Sequence, residues 1–138
     1  MKKILLFFDI DGTLLTLDKS HMFPESAKRA LGKAREKGHK IFINTGRVKS
    51  AIDKQLLSFG FDGLVCGCGT YIEYEGKELF HNTLSKDKCI EYANKLHAYN
   101  YETLYEGKDR MFIDGEYGPG SFMGYIYEYF SENSDYPI

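Results

Sequence analysis

Several features that mark large classes of proteins are missing from this sequence. No apolar run is long enough to span a membrane. Cysteine occurs only three times, an odd and sparse count that suits a reducing compartment better than a disulfide framework. The formal net charge is −2, so there is no excess of basic residues for binding nucleic acid. The sequence therefore predicts a cytoplasmic protein without a membrane or nucleic-acid partner.

Familiar cofactor and metal motifs are missing as well. There is no G-x-x-x-x-G-K-[ST] loop, and the segment GCGTYI at residues 67–72 lacks the third glycine of a dinucleotide-binding loop. DIDG at residues 9–12 resembles the start of a calcium loop, but the glycine comes too early and the closing glutamate is absent. The histidines are scattered without ligand spacing, and Cys66 and Cys68 are better explained as small residues at a strand end than as metal ligands.

What the sequence does contain is the pattern of an α/β domain. Its 138 residues are 43% hydrophobic, enough for one domain with a substantial core. Short apolar strands are predicted at residues 3–8, 40–44 and 64–66, and the first of them is expected to be fully buried at the centre of the sheet. Helices are predicted between them at residues 24–37 and 48–59. This order indicates a partial Rossmann-like core with a parallel sheet and right-handed crossovers.

The pattern changes near residue 70. Alternating residues around Glu75-Gly76 predict a β-hairpin, and Ser85 is placed to cap a helix that runs to about residue 99. That helix is expected to bury a face formed by Ile90, Ala93 and Leu96. Two further strands joined at Gly107 are followed by an aromatic helix at residues 121–130, whose packed side is formed by Phe122, Ile126, Tyr129 and Phe130. We expect a boundary after residue 83. Residues 1–83 would form the N-terminal part of the α/β core, and residues 84–138 would form an incomplete α+β segment.

Polar side chains follow each of the first three strands. Asp9 and Asp11 follow the first strand, Thr45, Gly46 and Arg47 follow the second, and residues 67–70 follow the third. Ligands of open α/β sheets bind at the carboxyl ends of the strands, so these groups are expected to meet at one edge. A carboxylate can attack phosphorus, a second acid can protonate the leaving oxygen, and Mg²⁺ accepts carboxylate and carbonyl ligands. The pattern therefore favours phosphoryl transfer.

Each of these residues has a simpler explanation when it is taken alone. Asp11-Gly12 is a common turn signal, although Gly12 would also leave room for a phosphate. Thr45 is most often a helix cap in this context, and Arg47 is most often a solvated surface residue. Their order, with each group after its own strand, is what supports a common site.

The segments FFDIDGTLL at residues 7–15 and INTGR at residues 43–47 resemble the first two motifs of the haloacid dehalogenase superfamily. The later GCGTYI segment and hairpin are similar to its Cof-type branch, cap class IIB, in which an α/β cap follows the third strand. The resemblance implies a Mg²⁺-dependent phosphatase that hydrolyses sugar phosphates or other small phosphorylated metabolites through an aspartyl-phosphate.

Site roles follow from the same resemblance. It implies that Asp9 is the nucleophile and a Mg²⁺ ligand, and that Asp11 is the general acid/base with its carbonyl on the metal. Thr45 would bind the phosphoryl group. Gly12 and Gly46 would shape the phosphate-binding pocket, and Arg47 would lie near the phosphate. Residues 84–138 would then form part of the cap.

The sequence also departs from the family pattern. Cys68-Gly69 stands where this branch often has Asn-Gly, and residues 1–138 contain neither the lysine of the third motif nor the acidic "GDxxND"-like fourth motif. We therefore expect this chain to be the N-terminal part of such an enzyme, inactive or weak by itself. A non-catalytic phosphate or Mg²⁺ binding module, a phosphomutase or phosphotransferase, and self-association through exposed half-core surface remain alternative expectations.

Overall fold

A computed structural model of the chain describes residues 2–115 and 117–138 and contains one mixed five-stranded sheet with the strand order β1-β2-β3-β4-β5. Strands β1, β2 and β3 are parallel, and the β4–β5 hairpin continues the sheet in antiparallel fashion. The strands are β1 (Leu5–Phe8), β2 (Lys40–Asn44), β3 (Gly63–Cys66), β4 (Tyr71–Tyr74) and β5 (Lys77–His81). This confirms the α/β class with its partly parallel sheet and hairpin. In the described part of the chain, no helix is long and apolar enough to cross a membrane.

The connection from β1 to β2 contains helix α1 (Glu25–Glu36), which confirms the helix predicted there. Pro24 lies at its N-cap, and Gly38 follows its C-cap with a φ of +81°, a conformation that suits glycine. The main core lies around β2, where Ile41 and Ile43 are fully buried and Leu31 packs from α1. Because β2 lies between β1 and β3, its backbone is paired on both sides and its apolar side chains are available to form this core.

The prediction of a fully buried first strand was wrong. Leu5 is 58% exposed and Phe7 is 51% exposed. The reason is that β1 lies at the edge of the sheet and, among the described residues, pairs with β2 alone. Phe7 still stacks on Phe42 of β2 at 4.8 Å between ring centroids. Self-association through this apolar edge stays a prediction.

The predicted helix at residues 48–59 is interrupted. It consists of a short 3₁₀ turn at Lys49–Ala51 and helix α2 (Lys54–Phe59), with Ile52 and Asp53 in extended conformations between them. Gly60 ends α2 in the left-handed region, as predicted. The interruption matters for the site, because it frees the side chain of Asp53 to face the loop after β2.

The second half of the chain contains two helices and a hairpin. They are α3 (Lys86–Ala98), β6 (Thr103–Glu106), β7 (Met111–Asp114) and α4 (Phe122–Asn133). Ser85 and Ser121 accept hydrogen bonds from the first turns of α3 and α4. The expected buried face of α3 is wrong, because no residue of α3 is buried and Ile90 is 49% exposed. Phe122 is 70% exposed, so it does not belong to the packed side of α4.

A second apolar cluster joins this half to the sheet domain. Ala51, Met111 and Phe130 are buried together, one from the 3₁₀ turn, one from β7 and one from α4. Ser50 strengthens the junction, since its hydroxyl donates to Gly107 O at 2.6 Å and its carbonyl accepts from Ser134 Oγ at 2.7 Å. Helix α4 therefore packs against the segment that follows β2.

Gly63 of β3 provides a test of the sheet packing. A Cβ at this position would lie 2.6 Å from the backbone oxygen of Glu73 and would overlap the ring of Phe42. We expect Gly63→Ala to lower the free energy of unfolding by about 1–3 kcal/mol, because the backbone oxygen cannot move aside cheaply. Urea unfolding followed by circular dichroism measures this change.

Gly32→Ala is the matched control, since a Cβ at Gly32 would meet no atom within 4 Å. Gly32 lies inside α1, so the substitution is expected to raise the free energy of unfolding by about 0.5–1 kcal/mol. A Gly63→Ala protein as stable as the unaltered chain would contradict the described register of β3.

Candidate active site

The carboxyl ends of the three parallel strands are connected to one another by hydrogen bonds. They lead into the first loop (residues 9–15), the second loop (residues 45–48) and the third loop (residues 67–70). Thr45 N–H donates to the carbonyl of Val65 in β3 at 2.9 Å. Arg47 O accepts from Gly67 N–H at 2.8 Å, and Thr45 O accepts from Cys68 N–H at 3.2 Å. The second and third loops therefore meet at one edge of the sheet, as predicted.

The first loop turns around a single buried carbonyl. The N–H groups of residues 13–15 all donate to Ile10 O, at 3.2, 3.0 and 2.9 Å. Ile10 itself is fully buried, and Gly12 has a φ of +76°. Asp9 and Asp11 flank the buried isoleucine, and both are exposed. The alternation of apolar and acidic residues thus anchors the loop and presents two carboxylates.

Thr45 occupies the first position after β2 and is only 5% exposed. Its Oγ1 accepts a hydrogen bond from Arg47 N–H at 3.2 Å, which leaves the hydroxyl hydrogen free to donate. Gly46 is exposed, and a Cβ there would lie 3.6 Å from Cys68 Sγ. The second loop therefore presents a small residue and an oriented hydroxyl at the end of β2.

Arg47 links the first and second loops through a bidentate ion pair. Its Nε donates to Asp11 Oδ2 at 3.0 Å, and its Nη2 donates to Asp11 Oδ1 at 2.6 Å. Burial alone would lower the pKa of Arg47, but the hydrogen bond to Asp11 raises it above its ordinary value. Arg47 is therefore a permanent cation that holds the carboxylate of Asp11 in one orientation.

Asp53 holds the other side of the same guanidinium. Arg47 Nη1 donates to Asp53 Oδ2 at 2.7 Å and to Ala51 O at 3.0 Å. Asp53 is 1% exposed, and its second oxygen accepts from Tyr129 OH at 2.9 Å. Although Asp53 lies at the N-cap of α2, its side chain makes no capping bond. A capping hydrogen bond stabilises a helix by about 1 kcal/mol. Asp53 does not make this bond, because its carboxylate pairs with Arg47 instead.

Helix α4 covers this ion pair. The rings of Tyr129 and Phe130 each have their centroid 5.7 Å from Arg47 Cζ. Burial, together with the charge of Asp53, raises the pKa of Tyr129 to about 12, so its hydroxyl remains a donor. Asp53 and Tyr129 were not predicted as site residues. The one available signal was an acidic residue next to Ile52 inside a helix predicted to have an apolar face.

Asp9 differs from Asp11 in having no partner. Within residues 2–115 and 117–138, its carboxylate accepts no hydrogen bond and has no cation within 4.0 Å. The backbone oxygen of Asp11 also accepts no hydrogen bond from the described backbone. These are hard, accessible oxygen donors of the type that Mg²⁺ prefers. No group of three or more potential metal-binding side chains occurs in the described residues, so the oxygens could form only part of a coordination shell.

A cleft of about 320 Å³ lies beside the third loop and is lined by groups from both halves of the chain. Its lining includes Gly67 and Thr70 of the loop, together with Glu106 and Lys108 from the β6–β7 hairpin. A larger groove of about 560 Å³ lies between residues 19–21 and α4, but no member of the three loops lines it. The smaller cleft therefore adjoins the second and third loops, but its lining includes neither of the two aspartates nor Thr45.

A polar network borders the same cleft. Lys49 Nζ lies 2.5 Å from Glu73 Oε2, and Tyr71 OH donates to that oxygen at 2.6 Å. Burial and the hydrogen bond to Glu73 raise the pKa of Tyr71 to about 12. The network ties the segment after the second loop to β4.

Removal of the Arg47 cation is expected to destabilise the folded chain. Arg47→Met would leave the charge of Asp53 buried without a partner, so we expect the free energy of unfolding to fall by about 3–5 kcal/mol. The exposed Arg29→Met on α1 is the control, with an expected change within about 0.5 kcal/mol. Adding Asp53→Asn to Arg47→Met should restore part of the loss in urea unfolding. A single variant as stable as the unaltered chain would contradict the ion pair.

Tyr71 gives a pH dependence with a defined sign. Its pKa is about 12 in the folded chain and about 10 when unfolded, so between these values the unfolded chain loses the proton first. The free energy of unfolding then falls as pH rises, by up to about 1.4 kcal/mol per pH unit for this group. Tyr71→Phe should have a shallower decline from pH 10 to 12 in urea unfolding. The control is Tyr99→Phe, at a residue that is 75% exposed, and its free energy of unfolding should decline with pH as steeply as that of the unaltered chain. Identical declines in all three proteins would refute the raised pKa of Tyr71.

Comparison with known proteins relates this site to a family. The model of the haloacid dehalogenase-like hydrolases matches residues 6–137. The chain is 25% identical over 111 residues to the Bacillus subtilis (strain 168) protein named "Putative phosphatase YkrA", an alignment that covers 80% of this chain and 42% of that protein.

Two crystal structures have the same fold. A protein from Geobacillus kaustophilus HTA426 superimposes with a TM-score of 0.77 at 24% identity, covering 100% of this chain and 52% of that one. The HAD subclass IIB sugar phosphatase BT4131 superimposes with a TM-score of 0.75 at 26% identity, covering 99% of this chain and 52% of that one. The chain thus spans about half the length of the relatives that it matches. From the family match over nearly all of its residues, we conclude that the chain belongs to the haloacid dehalogenase-like hydrolase family, in the Cof-type class IIB branch.

Proposed function

We propose that this chain is the N-terminal part of a Mg²⁺-dependent phosphatase that hydrolyses small phosphorylated metabolites through an aspartyl-phosphate. The observation that carries the proposal is the difference between two neighbouring carboxylates at the strand ends. Asp9 is exposed and unpaired among the described residues, which suits a nucleophile. Asp11 is held in one orientation by Arg47, and to act as the acid it must release one of its two contacts with Arg47 so that the freed oxygen can carry the proton.

In the first step, an oxygen of Asp9 attacks phosphorus and forms the acyl-phosphate bond. The bond from phosphorus to the leaving oxygen breaks, and protonated Asp11 transfers its proton to that oxygen. In the second step Asp11 takes a proton from water, whose oxygen attacks phosphorus and releases Asp9. Thr45 Oγ1 has a hydrogen available for a phosphoryl oxygen, and Gly46 keeps the approach to the second loop open.

A magnesium ion would be held by the Asp9 carboxylate and the Asp11 carbonyl. When bound, it supplies positive charge between the anionic nucleophile and the phosphate. Arg47 contributes differently, since both edges of its guanidinium are occupied by the carboxylates of Asp11 and Asp53. In this arrangement Asp11, Asp53 and Ala51 O engage four of the five N–H groups of Arg47, which orients Asp11. A place for Arg47 beside the phosphate stays a prediction.

The proposed substrate class is supported by the cleft beside the third loop, which adjoins the second and third loops but whose lining does not include Asp9, Asp11 or Thr45. Its volume of about 320 Å³ is at the lower end of the range for small-molecule sites. It is lined from both sides of the proposed boundary between a core at residues 1–83 and a cap segment at residues 84–138. A compact phosphorylated metabolite, such as a sugar phosphate, fits this size, and BT4131 is a sugar phosphatase.

We further propose that the 138-residue chain has little activity by itself. Among the described residues, the only side-chain cation that contacts the carboxylates of the first loop is Arg47, and no cation faces Asp9. Compensation of charge at such a site contributes several kcal/mol to catalysis. Relatives about twice as long have additional residues that can provide it. A non-catalytic phosphate-binding module is the second candidate, favoured by the engagement of both Asp11 oxygens with Arg47.

Trapping the acyl-phosphate tests the main proposal. The chain is incubated with Mg²⁺ and an aryl phosphate, and the intact mass is measured before and after hydroxylamine treatment. We expect slow phosphorylation that Asp9→Asn abolishes, and an Asp11→Asn protein whose dephosphorylation is about 10²- to 10⁴-fold slower, because water loses its general base.

Asp18→Asn provides the control, since Asp18 is an exposed aspartate in the segment after the first loop. It should not alter phosphorylation. Turnover that survives Asp9→Asn would overturn the proposal. Saturable binding of inorganic phosphate in calorimetry, with no phosphorylation of Asp9, would instead favour the binding module.

A further inference from the structure

A continuous set of polar contacts runs from helix α4 to Asp11. Tyr129 OH donates to Asp53, Asp53 pairs with Arg47, and Arg47 holds both oxygens of Asp11. We propose that Asp53 and Tyr129 are positioning residues for the reaction, which act through Arg47 to orient the acid/base Asp11. The packing of α4, which belongs to the proposed cap segment, would then control the orientation of Asp11. The inference rests on the proposed function for the role of Asp11.

The contribution of Asp53 follows from the shape of the guanidinium. One edge of Arg47, formed by Nε and Nη2, faces Asp11, and Nη1 is held by Asp53 and Ala51 O. Two fixed points prevent rotation of the planar group about its stem. Without Asp53, the only contact at Nη1 would be the one to Ala51 O, and the edge that faces Asp11 would be held less firmly.

The contribution of Tyr129 is to hold Asp53 and to cover Arg47. Its hydroxyl engages the oxygen of Asp53 that Arg47 does not use, and its ring lies over the guanidinium. The ring of Tyr129 packs edge-on against the ring of His21, with 5.2 Å between the two ring centroids. Gln55 fixes His21 by donating to its carbonyl at 2.8 Å. Tyr129 thus packs from α4 against the segment that follows the first loop.

The bond between Tyr129 and Asp53 joins residues that are 76 positions apart in the chain. It therefore exists only while α4 packs against the segment at residues 49–53. Withdrawal of α4 would remove the donor from Asp53 and both rings from Arg47 at the same time. The two losses would loosen the pair between Arg47 and Asp11 without any change in the first loop.

The side-chain signal of Arg47 in nuclear magnetic resonance tests this inference on the full chain. The protein is labelled with ¹⁵N-arginine, and the Arg47 Nε–H signal is identified by its loss in Arg47→Lys. Three other arginines, Arg29, Arg35 and Arg110, provide internal references. We expect Tyr129→Phe and Asp53→Asn each to increase hydrogen exchange at Arg47 Nε by about fivefold or more, the factor for one lost hydrogen bond.

Tyr125→Phe is the matched control on the same helix. Tyr125 is 49% exposed, and its hydroxyl makes no hydrogen bond within the described part of the chain. Its substitution should leave the Arg47 signal unchanged. Unchanged exchange in Tyr129→Phe and Asp53→Asn would overturn the inference, and so would an equal increase in Tyr125→Phe, which would indicate general loosening of α4.

The outcome can be separated from that of the proposed function. If Asp9 is not phosphorylated but the Arg47 signal responds as expected, the contacts are confirmed and the proposed chemistry fails. If Asp9 is phosphorylated but the Arg47 signal does not respond to either substitution, the chemistry stands and the positioning role fails.

Discussion

The ion pair network around Arg47 is the constraint on which the arrangement of the site depends. Asp53 is almost completely buried, and a buried carboxylate is tolerated only when a cation and hydrogen bonds compensate for its lost hydration. Arg47 satisfies Asp53 and Asp11 together, so the loops after β1 and β2 cannot move independently. The same requirement interrupts the helix after β2, because the carboxylate of Asp53 reaches the arginine from an extended backbone.

Two carboxylates two residues apart have different environments for a simple geometric reason. The residue between them, Ile10, is buried, and its carbonyl accepts three hydrogen bonds from the following turn. Asp9 and Asp11 therefore leave the loop on its accessible side, but only Asp11 lies within reach of the second loop. A free carboxylate beside an oriented one is the division of roles that acyl-phosphate chemistry needs, since a nucleophile must approach phosphorus and a proton donor must hold its position.

The second half of the chain packs against the candidate site. Helix α4 covers Arg47, the β6–β7 hairpin borders the cleft, and a small apolar cluster around Met111 joins both to the 3₁₀ turn. In contrast, α3 buries no residue, and β1 has two exposed large apolar side chains at the sheet edge. The chain spans about half of its relatives, and the best-packed part of its second half is the part that contacts the site.

The sequence by itself determined the order of the main elements and the parallel pairing of the first three strands. It also determined the hairpin turn at Glu75-Gly76 and the helix cap at Ser85, because these depend on local periodicity and backbone preference. It also indicated which loops would meet, since parallel strands end at the same edge. It did not predict that β1 would lie at the edge, because an apolar strand has the same residues at an edge as at the centre. Only the tertiary structure decided that Asp53 and Tyr129 would meet at Arg47, because that contact depends on the packing of α4 against a segment more than seventy residues away, for which local sequence holds no signal.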